Sequence, residues 1–171
     1  MSPVDPALQR ALADNVWLHF FQMGHMSSTG ARPTILVRGE GSRVWDQDGK
    51  QYIDALAGLF CVNAGYGRRE IVEAIAAQLM ELPYATPFSF PSLPLIQLAA
   101  KLAELSPMGP RTRTFFVTGG SEAVESCLKL ALQYHAARGE MSRRRFIARQ
   151  RSWHGNTLGA LSISGFLERR A

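Results

Sequence analysis

The sequence has 171 residues, of which 46% are hydrophobic and 19% charged, and a formal net charge of +5. That length and balance fit a soluble globular chain with a sizeable core; no apolar run reaches the length of a membrane span, and the segment Met1 to Pro6 lacks the basic-then-apolar pattern of a secretory signal. The positive charge rests on 16 Arg and three Lys, and the late crowd Arg138, Arg143, Arg144, Arg145, Arg149 and Arg151 reads as cations at a helix end and loop; without aromatic interleaving it predicts no nucleic-acid partner.

In chain order, Pro6 to Met23 predicts a helix, with Leu8, Leu12, Val16 and Phe20 at four-residue spacing. A loop follows from Gly24 to Pro33, and its His25 stands alone, as structural histidines do. Thr34–Arg38, Arg43–Asp46 and Gln51–Asp54 read as three strands of a meander, with Asp48-Gly49 as a hairpin signal. Residues 57–67 are apolar and glycine-punctuated without a period, which predicts the lining of a pocket or interface. Arg69–Leu82 is an amphipathic helix ended by Pro83, residues 84–91 form an aromatic, proline-rich loop, and Pro94–Leu105 is another helix. Cys61 and Cys127 lie far apart in apolar sequence and read as reduced core residues of a cytoplasmic protein, with too few partners for a zinc site.

The stretch from Phe115 to Arg138 reads as a buried strand, a glycine turn and a long helix. Thr118-Gly119-Gly120-Ser121 is the break, and Ala123, Cys127, Leu130, Ala131 and Tyr134 mark one helix face. Such a turn offers free N–H groups and the positive end of a helix dipole, so it can hold a phosphate. The structural reading of the same residues is a plain helix start with Ser121 as N-cap. No Lys follows the glycines, so this is not a nucleotide P-loop, and it is not a dinucleotide fingerprint. Glu122 and Glu125 would have to turn away from any phosphate. Arg145–Arg149 predicts a second strand, giving strand, helix and strand of a parallel α/β sheet, with Thr118–Ser121 and Ser152–Gly155 at one rim. A phosphate turn beside Trp153 suits a phosphorylated aromatic cofactor; otherwise Trp153 is an ordinary core aromatic.

These residues together resemble the class III aminotransferases, among the fold-type I pyridoxal-phosphate (PLP) enzymes. The resemblance rests on Trp45-Asp46, Asp48-Gly49, Tyr52 and Asp54; on Gly58-Leu59, Asn63, Gly65 and Gly67; on Gly119-Gly120-Ser121-Glu122-Ala123 with Glu125 and Lys129; and on Trp153-His154-Gly155, Thr157 and Gly159–Ser162. The wording from Gly58 to Arg68 is similar to the ω-amino acid (amine):pyruvate branch. The resemblance implies an α/β fold in which residues 1–66 form a helix and β-meander of the small domain, while 67–171 begin the PLP-binding large domain with its mostly parallel sheet. It implies that Gly120 and Ser121 bind the PLP phosphate and that Trp153, where the family usually has Tyr, stacks on the pyridine ring. Leu59 and Phe60 would line the substrate pocket, Phe60 standing where Trp is common, and Phe88 would reach a partner subunit's site in a homodimer, with Phe20 a weaker candidate for the pocket. The implied reaction moves an amino group from an ω-amino acid or amine to a keto acid such as pyruvate.

The family's Schiff-base lysine falls beyond residue 171, and Lys50, Lys101 and Lys129 do not take its place, so no catalytic residue is expected within these residues. The sequence therefore reads as the N-terminal part of a transaminase. A second reading, from another class, is a catalytically inactive remnant or an assembly partner that needs a separate C-terminal half.

Overall fold

An aspartate starts the first helix: Asp5 accepts the Ala7 N–H at 2.8 Å, and α1 runs Pro6–Asn15. The structure is a computed structural model and describes residues 5–24 and 33–169, so His25 and most of the loop expected around it lie outside the described residues. The helix stops eight residues before the expected Met23. Asn15 and β-branched Val16 favour helix weakly, and Val16 is already extended at φ −108° and ψ 121°.

The chain divides into two units, residues 1–85 and 86–171. In the first, β1 (Leu36–Glu40), β2 (Arg43–Asp46) and β3 (Gln51–Ile53) form the expected meander, antiparallel throughout in the order β1-β2-β3. Strand β1 runs through Gly39 and Glu40, two residues past its expected end at Arg38; the turn is confined to Gly41 and Ser42, with Gly41 at φ 55°. The sheet is organised by Asp46, which is 5% exposed. Its carboxylate accepts the Asp48 and Lys50 N–H groups, both at 2.9 Å, and the Tyr52 hydroxyl at 2.7 Å. One side chain thus closes the β2–β3 hairpin and joins its strands. Helix α2 (Arg69–Glu81) follows as its periodicity predicts.

In the second unit, α3 (Leu93–Leu105) starts behind Ser92 with a proline in its first turn. Helix α4 (Gly120–Ala137) has 18 residues, α5 (Leu158–Ser162) has five, and a 3₁₀ turn covers Leu167–Arg169. Ala160 and Ser164 are fully buried here. The Ser164 hydroxyl donates to the Ala160 carbonyl at 2.9 Å and accepts the His154 N–H at 3.1 Å.

Two expectations are corrected. The segments 115–117 and 145–149 belong to no strand, and the described strands contain no parallel pair. A strand exists through its neighbours, and strands consecutive in sequence lie side by side only about two-thirds of the time. Cys61 and Cys127 are free but exposed, so they are not core residues. No described helix is long and apolar enough to cross a membrane.

Candidate active site

The start of α4 differs from its simplest reading in one respect. Gly119 is the N-cap, extended at φ −163° and ψ 167°, and Ser121 is the second helical residue. Its hydroxyl is therefore not spent on its own helix. Ser121 Oγ accepts the Asn156 N–H at 3.0 Å, 35 residues on, which leaves its proton to donate elsewhere. The first intrahelical bond runs from Ala123 N–H to the Gly119 carbonyl at 3.0 Å, so the N–H groups of Gly120, Ser121 and Glu122 precede the helical ladder. At Gly119 and Gly120 a Cβ would meet no atom within 4 Å. Three amides, a hydroxyl and open space at the positive end of an 18-residue helix can hold a phosphate.

Both carboxylates that would oppose such an anion are engaged elsewhere. Glu122 turns back to accept the Thr118 hydroxyl at 2.6 Å and the Thr118 N–H at 3.0 Å, and these bonds hold its carboxyl below the ordinary 4.5. Glu125 accepts the Gly159 N–H at 2.7 Å and the Ala160 N–H at 3.3 Å. Its carboxyl also lies below the ordinary range, first because of the nearby Thr157 hydroxyl, whose geometry falls short of a full hydrogen bond, and then because of the Gly159 amide.

The loop from Trp153 to Thr157 is thereby drawn onto the start of α4. Gly155, buried at φ 135°, packs against Ser121: a Cβ there would stand 2.9 Å from Ser121 Cα and 2.9 Å from Ala160 Cβ and would overlap Ser121 Oγ. Only glycine fits that approach. Trp153 is 46% exposed, with the Arg169 guanidinium over its ring at 5.3 Å and the Phe166 ring centroid at 6.4 Å. Gly120, Ser121 and the Trp153 loop thus form one constellation. Phe88, in the same unit, is 95% exposed in a turn whose Phe90 N–H donates to the Thr86 carbonyl.

Leu59 and Phe60 lie in the first unit, in a conformation that the sequence reading missed. Ala57, Gly58, Leu59 and Phe60 all have positive φ, at 48°, 59°, 61° and 66°, and form a left-handed helical turn. Its bonds mirror those of an ordinary helix, with Phe60 N–H to the Leu56 carbonyl at 2.8 Å and Cys61 N–H to the Ala57 carbonyl at 2.9 Å. Each non-glycine residue here costs about 1–2 kcal/mol. Asp54 holds the turn, accepting the Gly58 N–H at 2.7 Å, the Leu56 N–H at 3.1 Å and the Tyr66 hydroxyl at 2.8 Å. The Tyr66 bond is the largest reason that the Asp54 carboxyl lies below its ordinary 3.8. Strain is thus retained at three side-chain-bearing positions, Ala57, Leu59 and Phe60, and strain of this kind clusters at functional segments.

The family model for aminotransferase class-III matches residues 26–169. The chain belongs to the class III aminotransferases. It is 37% identical over 147 residues to the putrescine–pyruvate aminotransferase of Pseudomonas aeruginosa, covering 85% of this chain and 32% of that one. The crystal structure of an (S)-enantioselective omega-transaminase from Thermomicrobium roseum matches at TM-score 0.90 and 36% identity, over 99% of this chain and 37% of that one. The omega-transaminase of Pseudomonas jessenii in complex with PMP matches at TM-score 0.89 and 30% identity, over 95% and 36%. The chain spans about a third of the length of the curated relatives it matches. Class III aminotransferases are PLP-dependent enzymes of the PLP-transferase fold. The donor set at the start of α4 fits that cofactor's phosphate.

Three contributors were absent from the sequence-derived site. Glu125 lies four positions after Ser121, hence on the same helix face, and that spacing was a legible signal. Gly155 stood out only as the end of the Ser152–Gly155 rim and in the resemblance, and Gly159 only in the resemblance.

Proposed function

We propose that the protein is a PLP-dependent transaminase, to which this chain contributes the N-terminal third, moving an amino group from an ω-amino acid or amine to a keto acid such as pyruvate. The observation that carries this is the Ser121–Asn156 clamp, which joins an anion-binding helix start to a loop bearing an exposed aromatic. Gly120 and Ser121 take the phosphate with backbone N–H groups and the hydroxyl. Trp153 stacks on the cofactor ring. Leu59 and Phe60, stiffened by the left-handed turn, line the substrate pocket, and Phe88 reaches the active site of a second copy in a homodimer. When bound, PLP supplies an electron sink for bond cleavage at the amine carbon. These residues orient the ring, exclude water from its face and position the donor; the proton carrier is supplied from outside them. In this allotment residues 1–66 belong to the small domain and 67–171 open the large one; it is a division by role and differs from the spatial units, which part after residue 85. The exposed thiols of Cys61 and Cys127 suit a reducing cytoplasm. Nothing in the likenesses favours an inactive remnant.

The test is alanine formation from pyruvate by the holoenzyme with an ω-amino acid, an arylalkyl amine or a polyamine as donor. The reading predicts turnover with at least one donor class and a Ser121→Ala variant that binds PLP about tenfold or more weakly, the scale of one hydrogen bond to a charged group. A holoenzyme that forms no alanine with any of the three, or a Ser121→Ala variant with unchanged PLP binding, overturns it.

A further inference from the structure

We infer that Glu125 is a positioning residue for the cofactor site, acting as an N-cap supplied from one helix to another. Helix α5 starts behind Thr157, which makes no side-chain cap of its own. The N–H groups that a cap would satisfy, those of its second and third residues, belong to Gly159 and Ala160, and both go to Glu125 Oε1 on α4. The cap is thus displaced by more than 30 residues in sequence, and it ties α5 to the helix whose first turn presents Ser121. Gly159 is fitted to this arrangement, since a Cβ there would overlap the carboxylate and come within 2.8 Å of its Cδ.

Three fastenings then fix the segment between Trp153 and α5. Glu125 holds its far end, Ser121 Oγ holds Asn156, and the buried Ser164 hydroxyl holds the His154 N–H. Trp153 sits one residue before His154, the position that Ser164 holds. Release of Glu125 frees the start of α5, and with it the Gly155–Ser121 contact that sets the Ser121 hydroxyl. Glu125 therefore governs the distance between the phosphate donors and the ring-stacking face without touching either ligand group. The inference rests on the proposed roles of Ser121 and Trp153.

The test is made on the holoenzyme carrying these residues, with Trp17 and Trp45 replaced by Phe so that Trp153 is the reporter among the tryptophans of this chain. PLP dissociation constants and the quenching of Trp153 fluorescence at saturating PLP are measured for Glu125→Ala, Glu125→Asp and Glu125→Gln. Glu125→Gln keeps an acceptor oxygen at the same reach and is expected within about threefold of the parent. Glu125→Asp withdraws the oxygens by one methylene, and Glu125→Ala removes them; both are expected to weaken PLP at least tenfold and to lower the saturated quench. A residue that merely stabilised the fold would change the unfolding temperature and leave the saturated quench intact, and that result overturns the inference. Should Glu125→Ala fail to fold, parent-like affinity and quench in Glu125→Asp overturn it equally. Loss of PLP binding or quench in the parent itself counts against the proposed cofactor site and not against the cap.

Discussion

A single buried carboxylate, Asp46, shows how much one residue decides in this chain. It gathers two turn amides and a tyrosine hydroxyl, and the Tyr52 bond is the main reason its carboxyl lies below the ordinary 3.8. A carboxyl lowered in the folded state stabilises the protein above its unfolded value, and that contribution is lost as pH falls through the folded one. Tyr52→Phe is therefore expected to destabilise most at pH 5 and above, with the gap to the parent closing below 3.8. Urea midpoints of the holoenzyme carrying these residues across pH 3 to 7 check this, and a constant gap would refute it. Gly155 decides in another way. Gly155→Ala forces overlap with Ser121 in a conformation alanine resists, so a loss of about 1–3 kcal/mol is expected in denaturant unfolding, together with weaker PLP binding by the holoenzyme.

At the scale of elements, the legible parts are those whose signal is local. Asp48-Gly49 announced the β2–β3 hairpin, and the apolar spacing of Ile71, Val72, Ile75 and Leu79 announced α2 within a residue at its end. The left-handed turn left no such mark. Periodicity carries no handedness, and Ala57, Leu59 and Phe60 are residue types that ordinarily avoid positive φ. Ser121 as a cap was a sound local reading displaced by two residues, because a glycine took the cap and the serine found a distant partner. The turn yields a paired prediction. Gly58→Ala places a side chain at φ 59° and brings its Cβ to 2.9 Å from Val62 Cγ2, so a loss of about 1–3 kcal/mol is expected. Ala57→Gly relieves strain of similar size but loosens the unfolded chain, so it is expected to be neutral within about 1 kcal/mol. Equal destabilisation by both would show that handedness is not what constrains the turn.

At the scale of the whole molecule, the described residues bury little apolar surface. Val44 and Ala160 are the buried hydrophobics among them, and α2, α3 and α4 have no buried residue. Ile71, Val72, Ile75 and Leu79, the apolar face of α2, are each more than 40% exposed. The 171-residue chain by itself is expected to bind the dye ANS and to melt without a sharp cooperative transition. A sharp calorimetric peak with no dye binding would contradict this. Sequence patterning told which faces are apolar; it could not tell what covers them, because that depends on residues far away in the chain.

The left-handed turn also sits inside a loop whose two ends are fastened to one place. Asp54 N–H donates to the Ser42 carbonyl at 2.9 Å, and Gly41 and Tyr66 exchange a pair of backbone bonds at 2.8 and 3.0 Å. Residues 55–65 therefore leave and rejoin the sheet at adjacent residues of the β1–β2 turn. Both anchors are backbone hydrogen bonds to the β1–β2 turn, so they need no particular side chain at Leu59 or Phe60. The side chains of Leu59 and Phe60, 67% and 72% exposed, are thus displayed from a segment fixed at both ends, so selection, or an engineer, can exchange those two while the scaffold that displays them stays the same.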